Sequence, residues 1–208
     1  MIRNIIFDLG GVVITLAPEE ALRRFKEIGL EDADRWLDAY TQGSIFGQLE
    51  EGQIDAETFR SEFSRLAGKD VSYDKCRYAW LGYAKDVPQR NLDVLKKLRG
   101  EGYRLILLSN TNPYMMSWVR SNEFDGHGHG IDYYFDAVYL SYELKVMKPS
   151  NDFFHRVLLA EHIVPAETLF VDDGPRNVAA ASQMGIRTFC PVNGADWTAE
   201  IYDYLNEK

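Results

Sequence analysis

The chain has 208 residues, a length between one and two domains of roughly 100–200 residues each. Hydrophobic residues make up 46% and charged residues 26%, which excludes long disorder and low-complexity tails. The balance of 23 basic against 32 acidic side chains, net −9, argues against a nucleic-acid partner, and no apolar run approaches the roughly 20 residues that span a bilayer.

The first apolar run, residues 4–8, has the length and composition of a buried strand; it is too short for a signal peptide, and Asp8 interrupts it. From 18 to 85 the pattern turns helical and no strand is expected. Helices are predicted over 19–28, 32–40, 45–51, 56–66 and 74–82, with Asp55 and Ser72 as amino-terminal caps. A helix over 90–99 carries Leu92, Leu95 and Leu98 on one face and stops at Gly100 and Gly102. Strands at 104–109 and 137–141 follow, separated by the glycine-rich stretch 123–130. A helix at 153–160, a strand at 169–172, a helix over 175–184 that closes on Gly185 and a weaker strand at 187–192 complete the chain. Buried strands alternating with helices predict an α/β fold, a Rossmann-like parallel sheet of five or six strands with helices on both faces. Residues 1–16 and 86–208 would form this core domain and 17–85 an inserted helical domain. The two cysteines, Cys76 and Cys190, lack metal spacing and fit free thiols in a reducing compartment, so a cytoplasmic location is expected.

In parallel sheets ligands bind beyond the carboxyl ends of the strands. The groups there are Asp8-Leu9-Gly10-Gly11, Ser109-Asn110-Thr111-Asn112, Ser141 with Lys145 and Lys148-Pro149, and Asp172-Asp173-Gly174. Carboxylates, a hydroxyl and an ammonium at one edge suit phosphoryl transfer through a covalent intermediate. Clustered carboxylates repel, and Mg²⁺ is the counter-ion that takes oxygen ligands.

The order Phe7-Asp8-Leu9-Gly10-Gly11-Val12-Val13, Leu108-Ser109-Asn110-Thr111-Asn112, Lys148-Pro149 and Phe170-Val171-Asp172-Asp173 resembles the haloacid dehalogenase superfamily, with the helical block at the position of that family's cap domain. Within it the chain is most similar to the small bacterial phosphatases that act on α-D-glucose 1-phosphate; the stretch Gly52-Gln53-Ile54-Asp55-Ala56-Glu57-Thr58-Phe59 adds to the likeness. The resemblance implies a Mg²⁺-dependent phosphatase of small phosphorylated metabolites, a monomer or weak dimer. Asp8 would be the nucleophile. Ser109, the Asn110 backbone, Gly10 and Lys148 would bind the phosphoryl group. Asp8, the Gly10 carbonyl and Asp173 would hold the metal, with Asp172 a ligand or a partner behind the ligands.

One position departs from the family. Gly10 stands where most phosphatases of the superfamily carry a second aspartate, the general acid and base, whose help is worth about 10²–10⁴-fold. Three readings follow: a substrate with a good leaving group, such as a sugar 1-phosphate or an acyl phosphate; a substitute acid elsewhere; or a poor catalyst. Two rival functions remain, a dehalogenase, against which the paired acids count, and a non-catalytic metabolite sensor or partner-binding protein.

Other residues read as structural. Lys145 is expected at the surface or the pocket rim, Asn177 as a support for the Asp172-Asp173 loop, and Cys76 as a packed thiol. His127 and His129 are expected in a solvated loop rather than at zinc, and His155 and His162 on helix surfaces. Trp36, Tyr40, Phe46, Trp80 and Tyr83 are expected mostly in the core of the helical block, with a few at the pocket mouth to choose substrate.

Overall fold

The structure is a computed structural model that describes residues 1–36 and 44–206. Strand β1 (Asn4–Phe7) runs into a tight loop and a two-residue strand, β2 (Thr15–Leu16). Helices α1 (Pro18–Glu27), α2 (Ala33–Trp36), α3 (Ile45–Glu50), α4 (Ala56–Ala67) and α5 (Tyr73–Trp80) follow, and β3 (Ala84–Asp86) pairs antiparallel with β2 to bring the chain back. The remainder comprises α6 (Gln89–Gly100), β4 (Arg104–Ser109), α7 (Pro113–Val119), β5 (Ala137–Leu140), α8 (Ser141–Leu144), α9 (Asn151–Glu161), β6 (Thr168–Val171), α10 (Pro175–Gln183), β7 (Arg187–Phe189) and α11 (Ile201–Asn206).

The main sheet has five parallel strands in the order β5-β4-β1-β6-β7. β1 and β6 are buried along their whole length, because helices cover both faces. Side chains alternate between those faces with the period of two. Ile5, Phe7, Leu105, Leu107, Leu169 and Val171 pack with Leu92, Leu95 and Leu98 of α6. Ile6, Ile106, Leu108 and Phe170 pack with Phe153, Phe154 and Val157 of α9 and with Ala181 of α10. This two-sided burial anchors β1, whose end carries Asp8.

The helical block has an aromatic core. Phe25, Phe46, Phe59, Phe63 and Trp80 are all buried, and Phe46 lies 5.1 Å from Phe25, 5.2 Å from Phe59 and 5.6 Å from Trp80 between ring centroids. Most of these contacts are edge-on or tilted, the arrangements the aromatic quadrupole favours. Ser72 and Asp55 accept hydrogen bonds from the backbone N–H of Lys75 and Thr58, capping α5 and α4 as the sequence predicts. The block seats on the core through α7: the Tyr114 hydroxyl donates to Ala56 O at 2.6 Å and Arg77 Nε donates to Ser117 Oγ at 2.8 Å.

Several elements differ from expectation. The block closes with a short strand, β3, where none was expected; at two and three residues, β2 and β3 are too short for a period to register. α7 is apolar on most sides, with Tyr114, Met115, Met116 and Val119 buried, so its sequence shows no amphipathic stripe. α8, a single turn, and α11 also went unpredicted. The predicted helix 32–40 is seen only as Ala33–Trp36; its remainder, with Tyr40, lies outside the described residues. Among the described residues no helix is long and apolar enough to cross a membrane.

Phe59 is fully buried among Phe46, Phe63, Trp80 and Tyr114. Phe59→Ala should lower stability by about 3–5 kcal/mol, read from urea unfolding. A loss below about 1 kcal/mol would show that the block does not unfold with the core.

Candidate functional site

Asp8, Ser109, Lys148 and Asp173 line one cavity of about 620 Å³ at the carboxyl edge of the sheet, together with Gly10 and Asn110. Its floor is polar and its opposite wall is apolar and aromatic, formed by Ile14, Leu16, Trp80, Tyr83, Met115 and Met147.

Lys148 organises the floor. Its Nζ lies 2.9 Å from Asp8 Oδ1 and 2.6 Å from Asp172 Oδ2, and donates to Leu108 O at 2.9 Å. The lysine is buried, and burial alone would discharge it. Asp172 and Asp8 outweigh that penalty and hold its pKa above the ordinary lysine value. Its backbone is fixed as well: Lys148 N donates to Asn110 Oδ1 and Asn110 Nδ2 donates to Lys148 O. The Asn110 side chain is thereby committed, leaving its backbone to face a ligand.

The three aspartates take different positions. Asp8 Oδ1 accepts from the Leu9 N–H at 2.7 Å and pairs with Lys148, whereas Oδ2 has no partner among the described residues. Asp172 is fully buried; besides Lys148 it accepts from Gly174 N at 2.7 Å and from Asn177 Nδ2 at 3.0 Å. Asn177 therefore supports this loop. Asp173 faces the cavity and makes no ion pair among the described residues; its own backbone N–H favours the ionised carboxylate, against burial. It lies against the turn after β1: Gly11 has φ +72°, and a β-carbon there would sit 2.0 Å from Asp173 Oδ2. Gly11 thus serves the site twice, through its backbone angle and through the space it leaves.

Oxygens of Asp8, Asp172 and Asp173 lie within 4.8 Å of one another. Three carboxylates against one ammonium leave a formal charge of −2 in a buried space, the charge that one divalent cation would offset. Burial, and after it the charges of neighbouring aspartates, push Asp8 up to about 7 despite Lys148, and Asp173 to about 6. An all-oxygen donor set with spare carboxylate charge fits Mg²⁺.

Ser109 is buried at the end of β4 and lines the cavity. Gly10 offers no side chain; a β-carbon there would first meet the end of Leu16, at 3.0 Å. Glu50, a residue the sequence reading passed over, comes from α3 in the helical block and lines the same cavity. Its spacing carried a signal: with Phe46 and Leu49 it falls at i, i+3 and i+4, a charge on the apolar stripe of α3. Burial raises its pKa to about 7. Asn112 Nδ2, buried and short of a hydrogen bond, belongs to the amide whose approach favours the Glu50 carboxylate.

Residues outside the cavity have structural roles. Lys145 closes α8 with φ 56°, the left-handed conformation that favours glycine, and is exposed. His162 ends α9 in the same way. The stretch 123–130 is no merely solvated loop but is built on buried Asp125, which accepts from the backbone N–H of His127 and His129, the His129 ring and the Tyr134 hydroxyl. Burial alone would raise the Asp125 pKa; these hydrogen bonds reverse the sign and hold it well below the usual carboxylate range. Cys76 is a buried thiol, pushed up to about 11 by burial, and Cys190 is exposed.

A family model described as haloacid dehalogenase-like hydrolase matches residues 2–185. Over 206 residues the chain is 43% identical to a D-ribitol-5-phosphate phosphatase of Bacteroides thetaiotaomicron, covering 99% of this chain and 100% of that protein. A predicted HAD-like family hydrolase of Porphyromonas gingivalis superposes with a TM-score of 0.96 at 43% identity, over 100% of both chains. A HAD family enzyme of B. thetaiotaomicron, solved in complex with magnesium and inorganic phosphate, superposes with a TM-score of 0.88 at 36% identity, over 96% of this chain and 99% of that one.

Two predictions follow from the packing and charge of the floor. Gly11→Ala should displace Asp173 and weaken Mg²⁺ binding measured by calorimetry, at a stability cost of about 1–3 kcal/mol; unchanged Mg²⁺ affinity would exclude Asp173 as a ligand. The second concerns pH. Asp8 and Asp173 titrate above their ordinary value of 3.8, so the metal-free protein is most favoured by them below that pH and loses their contribution as pH rises through about 6 and 7. Added Mg²⁺ should therefore raise the melting temperature more at about pH 8 than at about pH 5. An increment independent of pH would refute the carboxylate cluster as its site.

Proposed function

The chain belongs to the haloacid dehalogenase-like hydrolases and is a phosphatase of that family that uses Mg²⁺, and we propose that it cleaves phosphate monoesters of small polyols or sugars through an aspartyl phosphate on Asp8. The observation that carries the reading is the Lys148 ammonium set between Asp8 and Asp172, which leaves one Asp8 oxygen free toward the cavity.

The roles follow from that placement. Lys148 orients Asp8 and offsets charge on the phosphoryl group; as a buried cation it acts with little competition from water. Asp172 holds Lys148 and is itself held by Gly174 and Asn177, so it steadies the cation. Ser109 Oγ and the Asn110 backbone, on the cavity lining, would donate to phosphoryl oxygens. Asp8, Asp173 and the Gly10 carbonyl would hold Mg²⁺, which when bound offsets negative charge on the nucleophile and the phosphate. The attack forms a bond from Asp8 Oδ2 to phosphorus and breaks the bond to the alcohol oxygen; water then cleaves the acyl phosphate and releases inorganic phosphate.

We read residues 17–85 as a cap over this site. Trp80 and Tyr83 reach the cavity from it, and they would exclude bulk water and stack against the carbon skeleton of the substrate. A volume of about 620 Å³ suits a metabolite. The relative named for D-ribitol 5-phosphate supports a polyol phosphate, an ester of a primary alcohol. The bare Gly10 supports a second reading, a sugar 1-phosphate, whose anomeric oxygen leaves with less need of a proton.

Phosphate release should be measured on D-ribitol 5-phosphate, sugar 1-phosphates, sugar 6-phosphates and acetyl phosphate, with Mg²⁺ and with chelator. Wild-type turnover should vanish with chelator, and Asp8→Asn should lose at least about 10³-fold. Turnover retained by Asp8→Asn would end the nucleophile assignment. A preference for sugar 1-phosphates over the polyol ester would favour the second reading.

A further inference from the structure

We propose that Glu50, presented to the cavity by the helical block, is the general acid and base of this phosphatase, in the role that Gly10 leaves vacant. The inference rests on the phosphatase reading above and adds the residue that carries the proton.

Glu50 ends α3 on the same face as buried Phe46 and Leu49, so the helix aims a carboxyl group inward with its apolar stripe. The end of that helix is fixed. Gly52, two residues on, has φ +69°, and a β-carbon there would lie 2.0 Å from Tyr142 O, so the turn after α3 lies directly against the core backbone. The cavity that Glu50 lines also holds Asp8 and Gly10. Asn112 contributes a buried amide nitrogen short of a hydrogen bond beside the same carboxyl, and the Glu50 charge helps push the Tyr83 hydroxyl above its ordinary value.

The other candidates drop out. Asp8 is the nucleophile, Asp173 belongs with the metal, and Asp172 is fully buried under three donors. The Tyr83 hydroxyl is held too far up to trade a proton easily. Glu50 is the carboxylate left on the cavity wall, and burial keeps it where protonated and ionised forms are both populated near neutrality.

In the first half-reaction Asp8 Oδ2 bonds to phosphorus, the bond from phosphorus to the alcohol oxygen breaks with its electron pair, and the Glu50 carboxyl gives its proton to that oxygen. In the second, the Glu50 carboxylate takes a proton from water as the water oxygen bonds to phosphorus. The bond to Asp8 then breaks, phosphate leaves, and both side chains return to their starting states.

The test is leaving-group dependence in Glu50→Gln, with folding checked by circular dichroism. kcat/KM covers the steps through the first half-reaction only. For D-ribitol 5-phosphate, or whichever alkyl ester the wild type prefers, it should fall about 10²-fold or more. For p-nitrophenyl phosphate, whose leaving group needs no proton, it should change only a few-fold. With that substrate the variant should also show a burst of p-nitrophenol as the phosphoenzyme accumulates. Glu50→Asp, which keeps the acid, should retain more alkyl-ester activity than Glu50→Gln; it decides the matter if the glutamine variant folds poorly. An equal loss on both esters, or no loss on either, would overturn the assignment and leave Glu50 a packing or binding residue. Absence of Mg²⁺-dependent release by the wild type itself would instead bring down the phosphatase reading, a failure seen before any Glu50 variant is made.

Discussion

The arrangement depends on one buried ammonium. Lys148 is buried, and its charge is stabilised by Asp8 on one side and Asp172 on the other. Removing it would strand two buried carboxylates, the situation in which a broken buried pair costs about 3–5 kcal/mol. The surrounding fold serves to keep that geometry: β1 and β6, buried on both faces, deliver Asp8 and Asp172, while Asn110 clamps the Lys148 backbone from the end of β4.

The arrangement is deliberately unbalanced in charge. A structural ion pair would match one acid to one base, yet here a third acid, Asp173, is pressed against the turn after β1, where only glycine at position 11 leaves room. Burial first, and the neighbouring carboxylates after it, make this excess unfavourable and raise the pKa of Asp8 and Asp173. Binding a divalent cation relieves it. The same burial and repulsion would thus add to metal affinity, and under the proposed reading catalysis and stability pull in opposite directions at these residues.

Much of this was legible in sequence because strand ends announce themselves. Apolar runs followed by Asp8, Ser109 and Asp172-Asp173 gave the strands and the floor of the site together, and Lys148 could be placed only through its association with them. The wall opposite was not legible. Helices were expected where α3 and α5 form, but β2 and α7, which also supply it, are too short or too uniformly apolar to show a period, and nothing in the sequence aimed these pieces at one cavity. Gly11 looked like one small residue among several until its φ and the position of Asp173 were known. Glu50 was readable in principle, as an acid on the stripe of Phe46 and Leu49, but a six-residue helix offers too few turns for one misplaced charge to stand out.

The division of labour between the two parts has a chemical consequence. Asp8, Lys148 and Asp173, to which the proposed reading gives the roles of nucleophile, cation and metal-binding acid, all sit at the sheet edge. In the assignment proposed above, the proton donor comes from the helical block, which meets the core through a backbone approach at Gly52 and through the Tyr114 and Arg77 hydrogen bonds. A β2–β3 ribbon of two and three residues joins the two parts. Attack on phosphorus by Asp8 needs only the core, whereas release of a poor leaving group needs the block seated with Glu50 in place. A loosened block should therefore keep kcat/KM on activated esters and lose it on alkyl esters, while hydrolysis of the phosphoenzyme slows for both, which ties choice of substrate to docking as well as to the shape of the cavity. An aspartate at position 10 would remove that dependence by returning the proton to the core. The bare glycine there makes the seated block part of the catalyst.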